Sequence, residues 1–379
     1  MFESLKIPYF PVQKMGAFIT AIGTANPANQ YQQKDLAQFM CDHLDLDDAE
    51  QKRLKVLYRA TGITTRHSVL DDYKKKKGSF TFYPNQDGTT EFPSTHARMQ
   101  TYRDKALPLA ISAVTECLGD QHQLSEFTHL ITVSCTGMYA PGLDVDLVKA
   151  LNLSPTIRRN SLNFMGCYAA MNAIGIGKDI CDSHGHAKVL IVSVELCSIH
   201  LQKMQTEDNL LAHSLFADGA AALVMSSIAR PNESALAIKQ TASQLFMQGK
   251  NDMAWQIGDS GFQMALTAYV PDIIEGGIKK LTDQLLEQSN LDLSMIHAFA
   301  IHPGGKKILE AIEKQLGIAK SQNEVAYDVL RNYGNMSSPT ILFVLKRVWS
   351  KLEDEPDKNI LSFAFGPGLT MESILFQTI

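Results

Sequence analysis

The sequence predicts an α/β protein built from two similar halves that pack about a pseudo-twofold axis. Three observations lead there. Short runs of β-branched and small apolar residues, which read as buried strands, alternate with longer helical stretches. At 379 residues the chain exceeds what one hydrophobic core supports, so two core-forming units are expected. After residue 230 the order of elements starts again.

In the first half, residues 17–23 read as a buried strand closed by a turn at Thr24-Ala25-Asn26-Pro27. Charged helical sequence follows over 33–60, and the stretch 71–93 is the least regular in the chain. Its lysine run at 74–77 reads as a solvated loop rather than a binding patch. A helix is expected over 102–118, a strand over 129–135, a loop over 136–142 and a helix over 144–151. The run from Asn163 to Ile174 carries Cys167 just after Gly166 and should turn sharply into a buried helix. Strands over 188–194 and 218–225 complete this half, and Arg230-Pro231-Asn232-Glu233 reads as a linker. The boundary therefore falls between residues 1–230 and 231–379.

The second half repeats the plan. The strand at 235–240 corresponds to 18–22, the helix at 271–288 to 101–118, and the strand at 297–302 to 129–134. The segment 331–336 and its following apolar helix mirror 159–167, while 359–364 and 372–376 mirror the strands at 188 and 222.

Composition narrows the function classes. A net charge of −5 and a content of 20% charged residues argue against a nucleic-acid binder. No apolar run is long enough to cross a membrane, and Met1 to Lys14 lacks a signal peptide's apolar core. The six cysteines, at 41, 117, 135, 167, 181 and 197, form no CxxC pair and no metal-ligand spacing. A cytoplasmic protein with free thiols and no metal is expected.

The chemistry-bearing residues fall at strand ends and helix starts, where α/β sheets gather their ligands. Cys167 at a helix start has unpaired amides and a positive dipole end beside it, which favour a thiolate; it also reads as a small buried hydrophobe. His302 ends an apolar strand and is followed by Pro303-Gly304-Gly305, a tail that lets a ligand approach the backbone. Asn335, within Tyr333-Gly334-Asn335-Met336-Ser337-Ser338, is either a turn and helix cap or a donor to a developing oxyanion. Gly366-Pro367-Gly368 is a rigid reversal that could also wall a site. Together a Cys, a His and an Asn are what acyl transfer through a thioester needs. A papain-like protease uses the same three residue types, but its local signature is absent and it has no reason for duplicated halves.

At this point the sequence resembles the type III polyketide synthases, the chalcone and stilbene synthase family. The resemblance rests on Asn163–Ala170, Phe216–Leu223, His302–Gly305, Tyr333–Ser338 and Phe365–Thr370 in this order, and it runs nearly end to end. The stretch 61–66 resembles bacterial members of the family. The resemblance implies a thiolase-type fold, a homodimer and a pantetheine tunnel. It makes acyl-CoA starters and malonyl-CoA the substrates, with no cofactor. Cys167 would carry the starter and the growing chain, while His302 and Asn335 would hold the malonyl thioester and stabilise its enolate. Phe216 would stand at the junction of tunnel and cavity. Cys135, Thr136, His200, Phe262, Met264, Gly304, Gly305, Lys307 and the Gly366-Pro367-Gly368 reversal would line the substrate path. There are departures: Met264 replaces a gatekeeper phenylalanine of plant relatives, and Cys135 and His200 stand where those carry small polar residues. Arg53, Lys55 and Arg59 are nearby candidates for the CoA phosphates, each also readable as a solvated charge. Two alternatives remain open: a fatty-acid-initiating synthase that condenses once on a carrier protein, and a non-catalytic subunit of the same fold.

Overall fold

The computed structural model describes residues 14–44, 46–76, 78–84, 91–119, 124–203, 206–230, 233–249, 252–267 and 270–379. Lys77 of the lysine run, residues 85–90 of the irregular stretch and Pro231-Asn232 of the linker lie outside them. In chain order the strands are β1 (Lys14–Ala25), β2 (Asn29–Gln32), β3 (Thr65–Ser68), β4 (His129–Ser134), β5 (Arg158–Asn163), β6 (Lys188–Leu196) and β7 (Asp218–Ala229). They continue with β8 (Leu236–Leu245), β9 (Met253–Gly258), β10 (Gly261–Leu266), β11 (Ala298–Ile301), β12 (Asn359–Gly366) and β13 (Thr370–Thr378). The helices are α1 (Gln33–Leu44), α2 (Asp48–Ala60), α3 (Thr95–Leu118), α4 (Leu143–Ala150), α5 (Ala169–Ser183), α6 (Glu207–Leu215), α7 (Val270–Gln288), α8 (Lys306–Leu316), α9 (Glu324–Tyr333) and α10 (Pro339–Ser350).

Nine strands form one mixed sheet in the order β11-β12-β13-β8-β1-β7-β6-β4-β5. Read outward from the β8/β1 junction, the two arms match strand for strand: β8 with β1, β13 with β7, β12 with β6, β11 with β4. Those are the pairs that the restarted element order suggests. The junction itself is narrow, with Phe18 opposite Ala237 and Ile19 opposite Leu236. Strands β4, β6 and β12 are buried along almost their whole length, which is why they read as continuous apolar runs. The apolar helices α5 and α10 both pack on β1, β6 and β7; α5 also touches β4 and β13, and α10 touches β11. They fill the layer between the two arms, whereas α3 and α7 cover the outer faces.

Local chemistry explains where several elements begin and end. Asp47 and Glu50 cap the start of α2 reciprocally. Pro339 opens α10, and Gly317 ends α8 in the left-handed conformation. The uncharged stretch that leads to Cys167 is not buried from its start, because Ser161 to Asn163 belong to β5, an edge strand with no partner on its outer side among the described residues. Absence of charge marked the approach to a site here, not a core.

Strand β1 and helix α3 meet backbone to backbone at Gly23. A Cβ there would lie 2.2 Å from the Cys117 amide nitrogen and 2.3 Å from the Ala113 carbonyl oxygen, and neither can step aside. Gly23→Ala is therefore expected to cost about 3 kcal/mol. Thermal melting checks this, and an unchanged midpoint would contradict the packing.

Candidate active site

Four loops that leave the ends of β5, β11, α6 and α9 converge on one cavity. After β5 the chain passes through Phe164 (φ 61°) and Gly166 (φ 75°) and makes one 3₁₀ turn, Gly166–Tyr168, before α5. A Cβ on Gly166 would sit 2.1 Å from Cδ of Pro367, so the glycine lets the Gly366-Pro367-Gly368 reversal lie directly behind Cys167. His302 follows β11, and its amide continues the ladder to Phe363 O at 2.8 Å. Phe216 follows α6, and Asn335 follows α9 through Gly334 (φ 70°). These last two pair across the halves: the Asn335 amide donates to Leu215 O at 2.9 Å, and the Ala217 amide donates to Asn335 O at 2.8 Å.

The side chains meet as follows. The Asn335 carboxamide lies beside the Cys167 sulfur, with Oδ1 at 3.9 Å and Nδ2 at 4.0 Å. Oδ1 accepts from the Ser337 amide at 2.8 Å and Nδ2 donates to Gly304 O at 3.2 Å, so the amide orientation is set and the second N–H is left to the Cys167 sulfur. His302 is 1% exposed, and neither ring nitrogen has a hydrogen-bond partner. A buried imidazole without partners is rare in a folded chain and points to a missing ligand. The cavity that all these groups line has a volume of about 340 Å³.

Cys135, Thr136, His200, Phe262, Met264, Gly304, Gly305, Lys307 and Pro367 also line it, with Phe216 on its wall. Gly366 and Gly368 do not. They shape the turn: a Cβ on Gly366 would press on Tyr168, and Gly368 has φ 73°. Arg53, Lys55 and Arg59 are not among the lining residues either. Helix α2 presents Leu57 and Ala60 to the cavity instead, and the cations on it are Lys306 and Lys307 at the start of α8, together with Arg66. Arg53 and Arg59 are exposed on that helix, and Lys55 is half-buried on it.

His200 is no acid or base in this arrangement. Its Nε2 lies 2.7 Å from Thr136 O, and its Nδ1 accepts from the Phe262 amide at 3.0 Å, which fixes one neutral tautomer. Its ring stacks on Phe262 with centroids 4.4 Å apart. Burial pushes its pKa down to about 3.

Sequence reading missed two residues. Trp255 on β9 donates from Nε1 to Cys135 O at 2.7 Å and packs edge-on against His200 and Phe262, pinning the β9–β10 hairpin over the cavity. Nothing in its polar neighbourhood signalled a site. Glu195, fully buried at the end of β6, accepts from the Cys135 amide, from Thr136 Oγ1 at 2.7 Å and from Ser338 Oγ at 2.8 Å. An acid at the end of a buried apolar strand was the signal available for it.

The electrostatics are those of a dry pocket. Burial raises the Cys167 pKa to about 12, opposed by hydrogen bonds from Ser337 and Asn335, and the Glu195 charge pushes it the same way as burial. Burial also lowers the His302 pKa to about 3. Glu195 is raised to about 7 despite its donors, so it changes charge near neutrality. The standing thiolate expected from a helix start is therefore not what this cavity favours: a lone thiolate and a lone imidazolium are each costly here.

With this geometry in view, comparisons with known proteins can be weighed. Residues 11–229 match the chalcone and stilbene synthase N-terminal domain, and residues 237–379 match the C-terminal domain. The chain is 33% identical over 368 residues to the alpha-pyrone synthesis polyketide synthase-like Pks18 of Mycobacterium tuberculosis, covering 96% of this chain and 91% of that one. Among solved structures, PKS-I of the brown alga Ectocarpus siliculosus superposes with a TM-score of 0.88 at 28% identity, covering 98% of this chain and 100% of that one. The C-terminal type III polyketide synthase domain of Dictyostelium Steely1 gives 0.86 at 28%, covering 96% and 99%. The model matches and the relative agree along the whole chain: it belongs to the chalcone and stilbene synthase family, the type III polyketide synthases.

Proposed function

We propose that Cys167 is loaded from an acyl-CoA starter and that the acyl group is then extended by repeated decarboxylative condensation with malonyl-CoA. The observation that carries this reading is the Asn335 amide. It is locked by Ser337 and Gly304 beside the Cys167 sulfur, in the cavity where His302 keeps both ring nitrogens free.

The steps follow from the pocket. Moving the thiol proton to His302 creates a thiolate and an imidazolium together, so the cavity gains no net charge. The thiolate attacks the starter thioester, the C–S bond to CoA breaks, and CoA leaves with the proton. His302 is then neutral and can donate one N–H. That N–H and the Asn335 N–H that faces the Cys167 sulfur would then bind the carbonyl oxygen of malonyl-CoA. The bond to the carboxylate breaks, carbon dioxide leaves, and the electron pair moves into the thioester as an enolate whose oxygen these two donors hold. No strong base is needed, because a charged carboxylate leaves water for a dry site and departs as a neutral molecule. The enolate carbon attacks the acyl-Cys167 carbonyl and the thiolate departs. The product is a CoA thioester two carbons longer, ready to reload.

Lys306 and Lys307 on the cavity support entry of CoA there, and the exposed β5 edge supports a homodimer. We further place the protein in the cytoplasm, where its six free cysteines would stay reduced, and take it to work without a cofactor. Residues 1–230 would carry the nucleophile and residues 231–379 the two donors.

Incubation with malonyl-CoA and a panel of aromatic and fatty acyl-CoA starters, without carrier protein, should give extended products by mass. Absence of turnover would overturn the reading. Asn335→Ala should slow carbon dioxide release from malonyl-CoA by on the order of 10²–10³, and full retention would contradict the role of Asn335. Iodoacetamide should label Cys167 fastest of the six thiols. His302→Gln should slow that labelling, whereas Glu195→Gln should speed it several-fold above pH 7, where the wild-type carboxylate is charged and opposes the thiolate. Labelling of Cys135 or Cys197 at an equal rate would count against the assignment. Trp255→Ala should open the wall under the β9–β10 hairpin and shift the mass distribution toward larger products, and an unchanged distribution would show that this wall does not limit chain growth.

A further inference from the structure

Arg66 is a buried cation with no carboxylate in hydrogen-bond reach among the described residues, the Asp218 charge acting on it only from farther off. It is 6% exposed, lies on β3 and lines the cavity, and its head group reaches the site's frame. Nε donates to Gln33 Oε1 at 2.8 Å, and Nη1 donates to His213 O at 2.8 Å and to Phe216 O at 2.5 Å. Its guanidinium also lies over the Tyr58 ring, 5.7 Å from the centroid. What balances its charge is a helix end. His213 and Phe216 are at the C-terminus of α6, where carbonyl groups lack intrahelical partners and the dipole is negative.

The remaining carbonyls of that terminus are accounted for one by one. Ala212 O accepts from the Phe216 amide, His213 O also accepts from Tyr58 Oη, Ser214 O accepts from Gln33 Nε2, and Leu215 O accepts from the Asn335 amide. Gln33 and Arg66 thus cap α6 from outside it, and the last of its bonds goes to Asn335. On the other side of the same contact, Gly334 lies against the arginine stem. A Cβ at 334 would be 2.8 Å from Cγ and Cδ of Arg66 and 3.0 Å from Leu215 O. Arg66 therefore touches both strands of the Phe216–Asn335 bridge: one through a carbonyl, the other through its methylenes.

We propose that Arg66, oriented by Gln33, is a positioning residue for the condensation chemistry: by capping α6 and backing Gly334 it holds Phe216 and the Asn335 amide in register with Cys167. Planarity matters as much as charge. A guanidinium donates in several fixed directions at once, whereas an ammonium cannot reach Gln33, His213 and Phe216 from one point. This inference rests on the proposed role of Asn335 in holding the malonyl thioester.

The test uses the full-length protein as Arg66→Lys, Arg66→Met and Gln33→Leu, with sites counted by one-to-one alkylation of Cys167. Carbon dioxide release from malonyl-CoA is followed as kcat and KM per counted site, beside the melting temperature. Misplacement of a catalytic group by about 1 Å costs on the order of 10²-fold, and a loss of that size in kcat is expected for Arg66→Met. Arg66→Lys and Gln33→Leu should lose less, with KM changed by no more than about threefold, since ground-state binding is retained. A merely structural arginine would lower the melting temperature and the number of countable sites but leave kcat per site at the wild-type value in Arg66→Lys and Gln33→Leu; that result overturns the inference. Should Arg66→Met not fold, the other two variants decide. A wild-type protein that releases no carbon dioxide would overturn the reading of Asn335 first, and this inference with it.

Discussion

Two backbone hydrogen bonds hold this site together: Asn335 N–H to Leu215 O, and Ala217 N–H to Asn335 O. They form an isolated parallel bridge between a segment of the first half and one of the second. Everything that the chemistry needs from the second half is referred through it or beside it. Gly334 must be glycine because the bridge brings the chain within contact of Arg66 and Leu215 in a left-handed turn. Ser337 can then fix the Asn335 amide, and Ser338 reaches back to Ser193 and Glu195 on β6. A seam between two packed halves becomes one polar frame with a cavity on its inner side.

The frame accounts for the electrostatics. Around the catalytic groups its donors are backbone amides and neutral side chains, and the one cation in it, Arg66, is spent on Gln33 and on carbonyls at the end of α6. A site so dry holds thiol and imidazole neutral at rest, which protects the nucleophile, and it makes charge expensive unless charges appear in pairs or leave as neutral gas. Acyl transfer through a thiol–imidazole pair and loss of carbon dioxide both meet that condition. Glu195 is the exception, a carboxylate poised near neutrality a few bonds from the nucleophile. Its charge pushes the Cys167 thiol pKa up, the same way as burial does.

Much of this was legible in the chain. The strands at β4, β6, β11 and β12 announced themselves because burial on both faces leaves unbroken apolar runs. Their order repeated because the two arms of the sheet are built alike. Cys167, His302 and Asn335 stood out because glycines beside them mark close backbone approach, and the structure gathers them in one cavity. What stayed hidden depends on tertiary contact. Trp255 lies in a short hairpin, β9–β10, whose place over the cavity is set by contacts distant in sequence, with the Cys135 carbonyl, His200 and α6 among them. Arg66 is satisfied by carbonyls at the end of a helix, 147 and 150 residues away from it in sequence. The basic residues on α2 were placed at the cavity because a helix was expected there; without its partners the sequence could not say which face turned inward.

The most direct test of the central claim is the identity of the acylated residue. The protein is incubated with an acyl-CoA starter alone, quenched in acid, digested and mapped by mass spectrometry. The account predicts the acyl group on the peptide carrying Cys167 and on none of the peptides carrying the other five cysteines. An acyl group on Cys135 or Cys197, or extended product formed with no acyl group on Cys167, would contradict it.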